Sequence, residues 1–350
     1  MLRHEKLTIL KGMGMREIED WCQSFDQPPY RGKQIFEWMY SQGIVDPFKM
    51  SNLPCDFQQN LQENCILDTL HIEKITSSEL EETNKFLFKT LDDHYIETVS
   101  MVEDNRHTVC ISSQIGCNLD CDFCATAKMG IIRNLSQGEM VDQLLHIRHH
   151  IDAKITNVVF MGMGEPFMNY ERVLNTADIY HHQKGFGLGA RRITISTAGV
   201  LPKIVQYIKE QRKYKLAISL NASNDIARTQ IMPINKQFNI KALVDAAKEY
   251  AKVKRRNVLF EYVLLSGIND SADDAYELSQ LLKGVDCKLN IIPYNEIDCA
   301  HKRPSDEVIT TFLKILSTHQ DGFRVLVRWS KGQDINAGCG QLAVKHLSNE

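Results

Sequence analysis

CNLDCDFC, residues 117–124, places three cysteines within eight positions in the spacing C-x3-C-x2-C. A structural zinc site closes with four protein ligands, usually delivered as C-x2-C pairs, yet the next cysteine after Cys124 is Cys287. The loop is one ligand short. Three thiolates can instead hold three irons of a [4Fe-4S] cube and leave the fourth iron open to a small molecule. An open iron can bind the amino and carboxylate groups of S-adenosylmethionine and pass an electron to its sulfonium, so that a C–S bond breaks and a 5′-deoxyadenosyl radical forms. Cys117, Cys121 and Cys124 are therefore candidate cluster ligands. The plainer alternatives are a zinc site completed by a distant Cys or His, or three buried thiols.

Outward from the loop the chain repeats strand then helix. HTVCISS precedes it, and TNVVFMG, RITIS, KLAISL, NVLFEYVLL and KLNIIPY follow, each an apolar run leading into a plausible helix, with FRVLVRW as a last strand. Ser136 with Glu139 makes a capping box ahead of MVDQLLHI, and Asn169 is a candidate N-cap for YERVLNTADIY. About six βα units in succession predict an α/β fold, a partial (βα)6 TIM-like barrel with right-handed crossovers. Reactive groups gather at the C-terminal strand ends of such barrels. The cysteine loop follows the first strand and MGMGEP, residues 161–166, the second. Ser196 closes the third, Ser219, Leu220 and Asn221 the fourth, and Pro293, Tyr294 and Asn295 the sixth.

Before the barrel, residues 16 to 70 read as short helices, and HIEKITSSE, KFLFKTL and HYIETVSMV as an antiparallel sheet. The expected division is a helical accessory module over 1–72, a β extension over 73–103, the barrel over 104–335 and a C-terminal loop over 336–350. With 350 residues and 43% hydrophobic content a sizeable core is possible. No apolar run is long enough to cross a bilayer, so we expect a cytoplasmic monomer without a membrane partner. Ten cysteines scattered without regular spacing fit a reducing compartment better than a disulfide scaffold. A net charge of −3 leaves nucleic acid to local patches, Lys252, Lys254, Arg255 and Arg256 or Arg191 and Arg192, which otherwise are solvated faces.

TVCISSQIGCNLDCDFCATAKMG, with Phe123 just before the third cysteine, together with MGMGEP, RITISTAG, MPINK, NIIPYN and DINAGCGQLA, resembles the RlmN/Cfr family of radical S-adenosylmethionine RNA methyltransferases. The similarity runs over nearly the whole chain. It implies one [4Fe-4S] cluster on Cys117, Cys121 and Cys124, and S-adenosylmethionine contacts at Gly164, Glu165, Ser196, Ser219, Leu220, Asn221 and Asn295. It further implies that Cys339 takes a methyl group from one S-adenosylmethionine. A radical from a second then removes hydrogen from that methyl, whose carbon adds to an adenine ring. By the same resemblance Glu97 is the proton acceptor, and Cys110 forms a transient disulfide with Cys339 that frees the product. On residues alone, Glu97 is an ordinary strand carboxylate, and Cys110 and Cys339 are small hydrophobes as readily as reactive thiols. Cys22, Cys55, Cys65, Cys287 and Cys299 receive no role.

The implied substrates are an adenosine of the peptidyl-transferase centre in 23S rRNA and the adenosine 3′ of the anticodon in tRNA, with a flavodoxin or ferredoxin as electron donor. The proline of MGMGEP and the IIPYN stretch look more like the family's C2 enzymes, so the resemblance implies methylation at C2. An adenine-C8 enzyme of the Cfr type and a non-catalytic iron–sulfur RNA-binding paralogue are the alternatives. Two positions differ from the usual family pattern, Asn221 in Ser-Leu-Asn where histidine is common and Gly338 where alanine is common.

Overall fold

The computed structural model describes residues 7–344, so residues 1–6 of the expected helical module and 345–350 of the expected C-terminal loop lie outside the described residues. The chain opens with strand β1 (Thr8–Ile9), helices α1 (Met15–Ser24), α2 (Tyr30–Phe36) and α3 (Cys55–Asn64), and strand β2 (Cys65–Ile66), which pairs in parallel with β1. Helix α1 buries Ile18, Trp21 and Cys22, the i, i+3, i+4 stripe of an amphipathic helix. Strands β3 (Leu70–Ser77), β4 (Thr83–Thr90), β5 (Tyr95–Glu103) and β6 (Arg106–Cys110) form an antiparallel meander. Position 72 falls inside β3.

Next comes a small antiparallel ribbon of β7 (Gln114–Gly116) and β8 (Ile131–Asn134), with the cysteine loop and the one-turn α4 (Ala125–Lys128) between its arms. The βα units then follow as α5 (Gln137–His150), β9 (Asn157–Phe160), α6 (Tyr170–His181), β10 (Ile193–Thr197), α7 (Leu201–Lys209) and β11 (Lys215–Ser219). They continue with α8 (Asp225–Ile231), α9 (Ile240–Lys254), β12 (Val258–Leu264), α10 (Ala272–Leu281), β13 (Cys287–Pro293), α11 (Asp306–Thr318) and β14 (Phe323–Val327). All four residues of β9 and all five of β10 are buried, as befits parallel strands covered on both faces.

One ten-stranded sheet, ordered β14-β13-β12-β11-β10-β9-β6-β5-β4-β3, carries the molecule. From β6 to β14 every neighbouring pair is parallel, which makes the six crossovers expected of a partial barrel. The sheet stays open, with β14 and β3 as its edges. The β extension is thus continuous with the barrel through the β5–β6 pairing.

Ser136 caps α5 as predicted, its hydroxyl accepting from Glu139 N while the Glu139 carboxylate accepts from Ser136 N. Asn169 precedes α6 but does not cap it. Its amide donates instead to Ser113 O at 2.9 Å and Leu135 O at 2.8 Å, satisfying two carbonyls of the strand-end loops that burial would otherwise leave unpaired.

The helical module is joined to the barrel by a dry contact. Lys11 Nζ lies 3.0 Å from Asp142 Oδ1 of α5, with side-chain exposures of 0% and 1%. Thr69 donates from both N and Oγ1 to the other carboxylate oxygen. Removing one member of a buried pair strands the other charge. Lys11→Met is therefore expected to destabilise the fold by about 3 to 5 kcal/mol in denaturant melts. Asp142→Asn in the same chain should recover part of that loss; equal stability of Lys11→Met and wild type would show that the pair does not hold the joint.

Candidate active site

The cysteine loop hangs from the β7–β8 ribbon at the C-terminal ends of the barrel strands. Cys117 N donates to Gly130 O at 3.0 Å, Asp122 N to Ile231 O at 3.0 Å and Cys124 N to Cys121 O at 3.1 Å, so the loop is tied at each end and in the middle. Cys117, Cys121 and Cys124 face one cavity that opens to solvent. Burial pushes the Cys117 thiol up to about 11 and Cys121 well above its ordinary value. Such thiols ionise when a cation is placed among them. No three His, Cys, Asp or Glu side chains among the described residues are arranged to hold a single metal ion. All three thiols line the same cavity, the donor set that three irons of a [4Fe-4S] cluster would take.

The turn after β9 supplies the next wall. Gly164 has φ +94°, and a Cβ there would lie 2.4 Å from Gln114 Cβ, so only glycine lets the chain pass the ribbon. Glu165 is 3% exposed and lines the cavity. Its Oε1 accepts from Phe167 N at 2.9 Å and its Oε2 from Ala198 N at 2.7 Å, coupling the ends of β9 and β10.

Burial raises the Glu165 carboxyl from 4.5 to about 7, against the lowering effect of those two amides. A carboxyl raised in the folded state contributes stability that is complete below its unfolded value and lost as pH rises through its folded value. With the cavity empty, the stability of wild type relative to Glu165→Gln is expected to fall by about 3 kcal/mol from about pH 4 to about pH 8. A gap independent of pH in urea titrations would show that Glu165 stays ionised.

Ser196, Ser219 and Asn221 also line this cavity, whereas Leu220 between them is fully buried and turned into the core. Asn221 has φ +57°, a left-handed conformation that asparagine tolerates better than most residues. Its Oδ1 accepts from Val263 N at 2.8 Å and its Nδ2 donates to Met232 Sδ at 3.2 Å. Asn295 stands behind the wall. Its Nδ2 donates to Cys339 O at 3.0 Å, and it holds the C-terminal loop in place.

That loop is clasped to the cysteine loop as well. Ala125 N donates to Gly340 O at 2.7 Å and Thr126 Oγ1 to Leu342 O at 2.6 Å. Cys339 consequently lines the cavity of the loop cysteines and also a second cavity, whose walls include Cys110, Val99 and Met101. Burial pushes the Cys110 thiol up to about 12, with Cys339 raising it further and Arg328 opposing.

Gly338 leaves little room for a side chain. A Cβ on it would meet Asn295 Cγ at 2.7 Å and Nδ2 at 2.8 Å. Gly338→Ala is expected to cost about 1 to 3 kcal/mol by displacing Asn295. In an Asn295→Ala background it should cost less, a double-mutant cycle that additive losses would contradict.

Glu97 lies on β5, on the same face as Val99 and Met101, but lines neither cavity. Its Oε1 pairs with Lys85 Nζ at 3.0 Å and its Oε2 accepts from Ala343 N at 3.0 Å. Burial raises this carboxyl above its usual range, against the pull of Lys85 and the Ala343 amide.

Three residues of the site escaped the sequence reading. Arg328, just past β14, lines both cavities. Glu261, in the middle of β12, accepts from Asn290 at 2.9 Å with Oε1, while its Oε2 is buried without a hydrogen-bond partner. Each was visible as a charged residue in an apolar strand, NVLFEYVLL and FRVLVRW. Arg228 of α8 is fully buried and donates to Ala198 O, Ser219 O and Leu220 O, pinning the ends of β10 and β11. In DIARTQI it looks like any surface arginine.

The Radical SAM superfamily profile matches residues 111–279, and that of the "Ribosomal RNA large subunit methyltransferase N-terminal domain" matches residues 8–67. The chain is 40% identical over 339 residues, 97% of its length and 98% of the relative's, to a probable dual-specificity RNA methyltransferase RlmN of Thermoanaerobacter sp. (strain X514). To the protein of the same description from Bacillus licheniformis it is 38% identical over 353 residues, covering 100% of this chain and 97% of that one. A crystal structure of a radical SAM methyltransferase from Sphaerobacter thermophilus superposes with TM-score 0.92 at 41% identity, over 97% of this chain and 100% of that one.

Proposed function

This chain belongs to the RlmN family of radical S-adenosylmethionine RNA methyltransferases, and we propose that it methylates C2 of a specific adenosine in 23S rRNA and of the adenosine 3′ of the anticodon in tRNA. The observation that carries the reading is the position of Cys339, which borders both the cavity of the three loop cysteines and the cavity of Cys110.

Cys117, Cys121 and Cys124 would hold a [4Fe-4S] cluster. The unpartnered buried oxygen of Glu261, in the same cavity, fits the hydroxyl or ammonium donors of a bound S-adenosylmethionine. Gly164, Glu165, Ser196, Ser219 and Asn221 are the further contacts, with Leu220 contributing backbone and Asn295 acting through the Cys339 loop. Together the cluster and S-adenosylmethionine supply a methyl group and, with an electron from a flavodoxin or ferredoxin, a hydrogen-abstracting radical.

The chain's own groups do the rest. The Cys339 sulfur takes the methyl group and presents it to the adenine, which must be flipped out of its stack to reach the site. Adenine C2 is not nucleophilic, so direct displacement fails and the base must be held covalently while its ring proton leaves. Glu97, raised by burial, accepts that proton once it releases the Ala343 amide. The Cys110 thiol then gives up its proton and its sulfur bonds to the Cys339 sulfur, while the carbon–sulfur bond to the base breaks with its electron pair on carbon, which takes a proton to become the methyl group. The helical module, matched by the ribosomal methyltransferase profile over residues 8–67, supports a role in gripping RNA.

Mass spectrometry of nucleosides from the 23S rRNA and tRNA of a strain lacking the gene, complemented with wild type or Cys339→Ala, tests this. The expected product is 2-methyladenosine in both RNAs with wild type only. 8-Methyladenosine, or no methylated adenosine at all, would overturn the reading.

A further inference from the structure

The two basic runs of the sequence lie far from the cysteine loop. Arg191 and Arg192 lead into β10, and Lys252 to Arg256 lead into β12, so both sit at the N-terminal ends of the strands. We infer that this N-terminal mouth of the barrel is a binding site for a phosphate group.

Side chains alternate along a strand, so residues four apart share a face. Cys110, Ser196, Ser219, Ile292 and Arg328 line the cavities at the C-terminal end. Four positions earlier on the same five chain segments stand Arg106, Arg192, Lys215, Lys288 and Arg324. On β6, β11 and β13 the alternation puts Arg106, Lys215 and Lys288 on the inner face of the sheet, about 13 Å below the active-site residues at 3.3 Å per residue, while Arg192 ends the turn just before β10 and Arg324 lies on β14 beside Lys288. Lys288 is the lateral partner of Arg324, a like-charge pair that costs stability. The Lys215 ammonium is destabilised by burial and then by Lys288, Arg106, Arg192 and Arg191.

Glu103 is the lateral partner of Arg106, but its carboxylate pairs with Lys331 at 3.2 Å. Arg106 donates to Thr108 Oγ1 at 3.1 Å and Arg192 to Asn157 Oδ1 at 3.3 Å, and none of the five cations forms an ion pair among the described residues. A second acid at this end, Asp286, accepts from Asn257 Nδ2 at 2.6 Å and borders a depression with Lys248, Lys252 and Arg255. Low-dielectric walls focus the field of such a group of cations, and arginine and lysine give phosphate oxygens charge-assisted hydrogen bonds. The phosphate can come from an RNA backbone or from a free phosphate compound. Only the first of these rests on the methyltransferase reading.

Calorimetry of the full chain at low ionic strength, first with inorganic pyrophosphate and then with an unmodified tRNA transcript, tests the site. Wild type is expected to bind pyrophosphate, and Lys215→Gln/Lys288→Gln to bind it at least about tenfold more weakly. Relief of repulsion should leave that variant melting no lower than wild type; Arg324→Gln, at the exposed sheet edge, gives the same comparison if the double variant does not fold. Displacement of tRNA by pyrophosphate assigns the site to backbone phosphate, and simultaneous binding of both assigns it to a free phosphate compound. Pyrophosphate affinity unchanged by the substitutions, or no binding to wild type, overturns the inference whatever the nucleoside analysis returns.

Discussion

Cys339→Ala is expected to lower RNA methylation by on the order of 10⁴-fold or more, because no neighbouring group can replace a covalent carrier. Cys110→Ala should fail differently. Without the buried thiol that shares a cavity with Cys339, the methyl group is still accepted and still joined to the base, but the carbon–sulfur link has no partner to break it. That variant should accumulate a protein–RNA species that survives denaturing electrophoresis, and Cys110→Ala/Cys339→Ala should accumulate none. If Cys110→Ala instead turns over like wild type, the disulfide step is wrong, whatever becomes of Cys339.

Cys121→Ser is the second large effect. A serine hydroxyl ionises far less readily than a thiol and is a harder, poorer ligand for cluster iron, and loss even of groups that merely orient metal ligands costs about 10- to 100-fold. Reconstituted Cys121→Ser protein should lack the visible absorption of wild type and lose at least that much activity. Cys55→Ser, at an exposed position on α3, should keep both. An intact absorption band in Cys121→Ser would remove this residue from the ligand set.

Much of this was legible because parallel strands are buried on both faces and so write themselves as short apolar runs. HTVCISS to FRVLVRW contain the strands β6 and β9 to β14, and the cysteine loop and MGMGEP fall at strand ends because barrel geometry puts loops there. What sequence could not give was side-chain direction within those ends. Ser219 and Asn221 face the cavity while Leu220 turns away, and Asn295 reaches the Cys339 carbonyl. Those outcomes depend on strand register and on the left-handed turn at Asn221. Arg228 was illegible for another reason, since its burial follows from carbonyls at the ends of two other strands rather than from its own helix. Glu261 and Arg328 were legible as charges in apolar strands, a pattern that buried positions rarely carry without a partner or a ligand.

Peptide mass spectrometry of the purified protein tests the central claim most directly. After cluster assembly and incubation with S-adenosylmethionine, the peptide containing Cys339 is expected to be heavier by one CH2 group, with the added mass on the sulfur of Cys339 and lost again when RNA and a reductant are supplied. A Cys339 that stays unmodified while RNA is methylated, or a methyl group carried by another cysteine, would contradict the account.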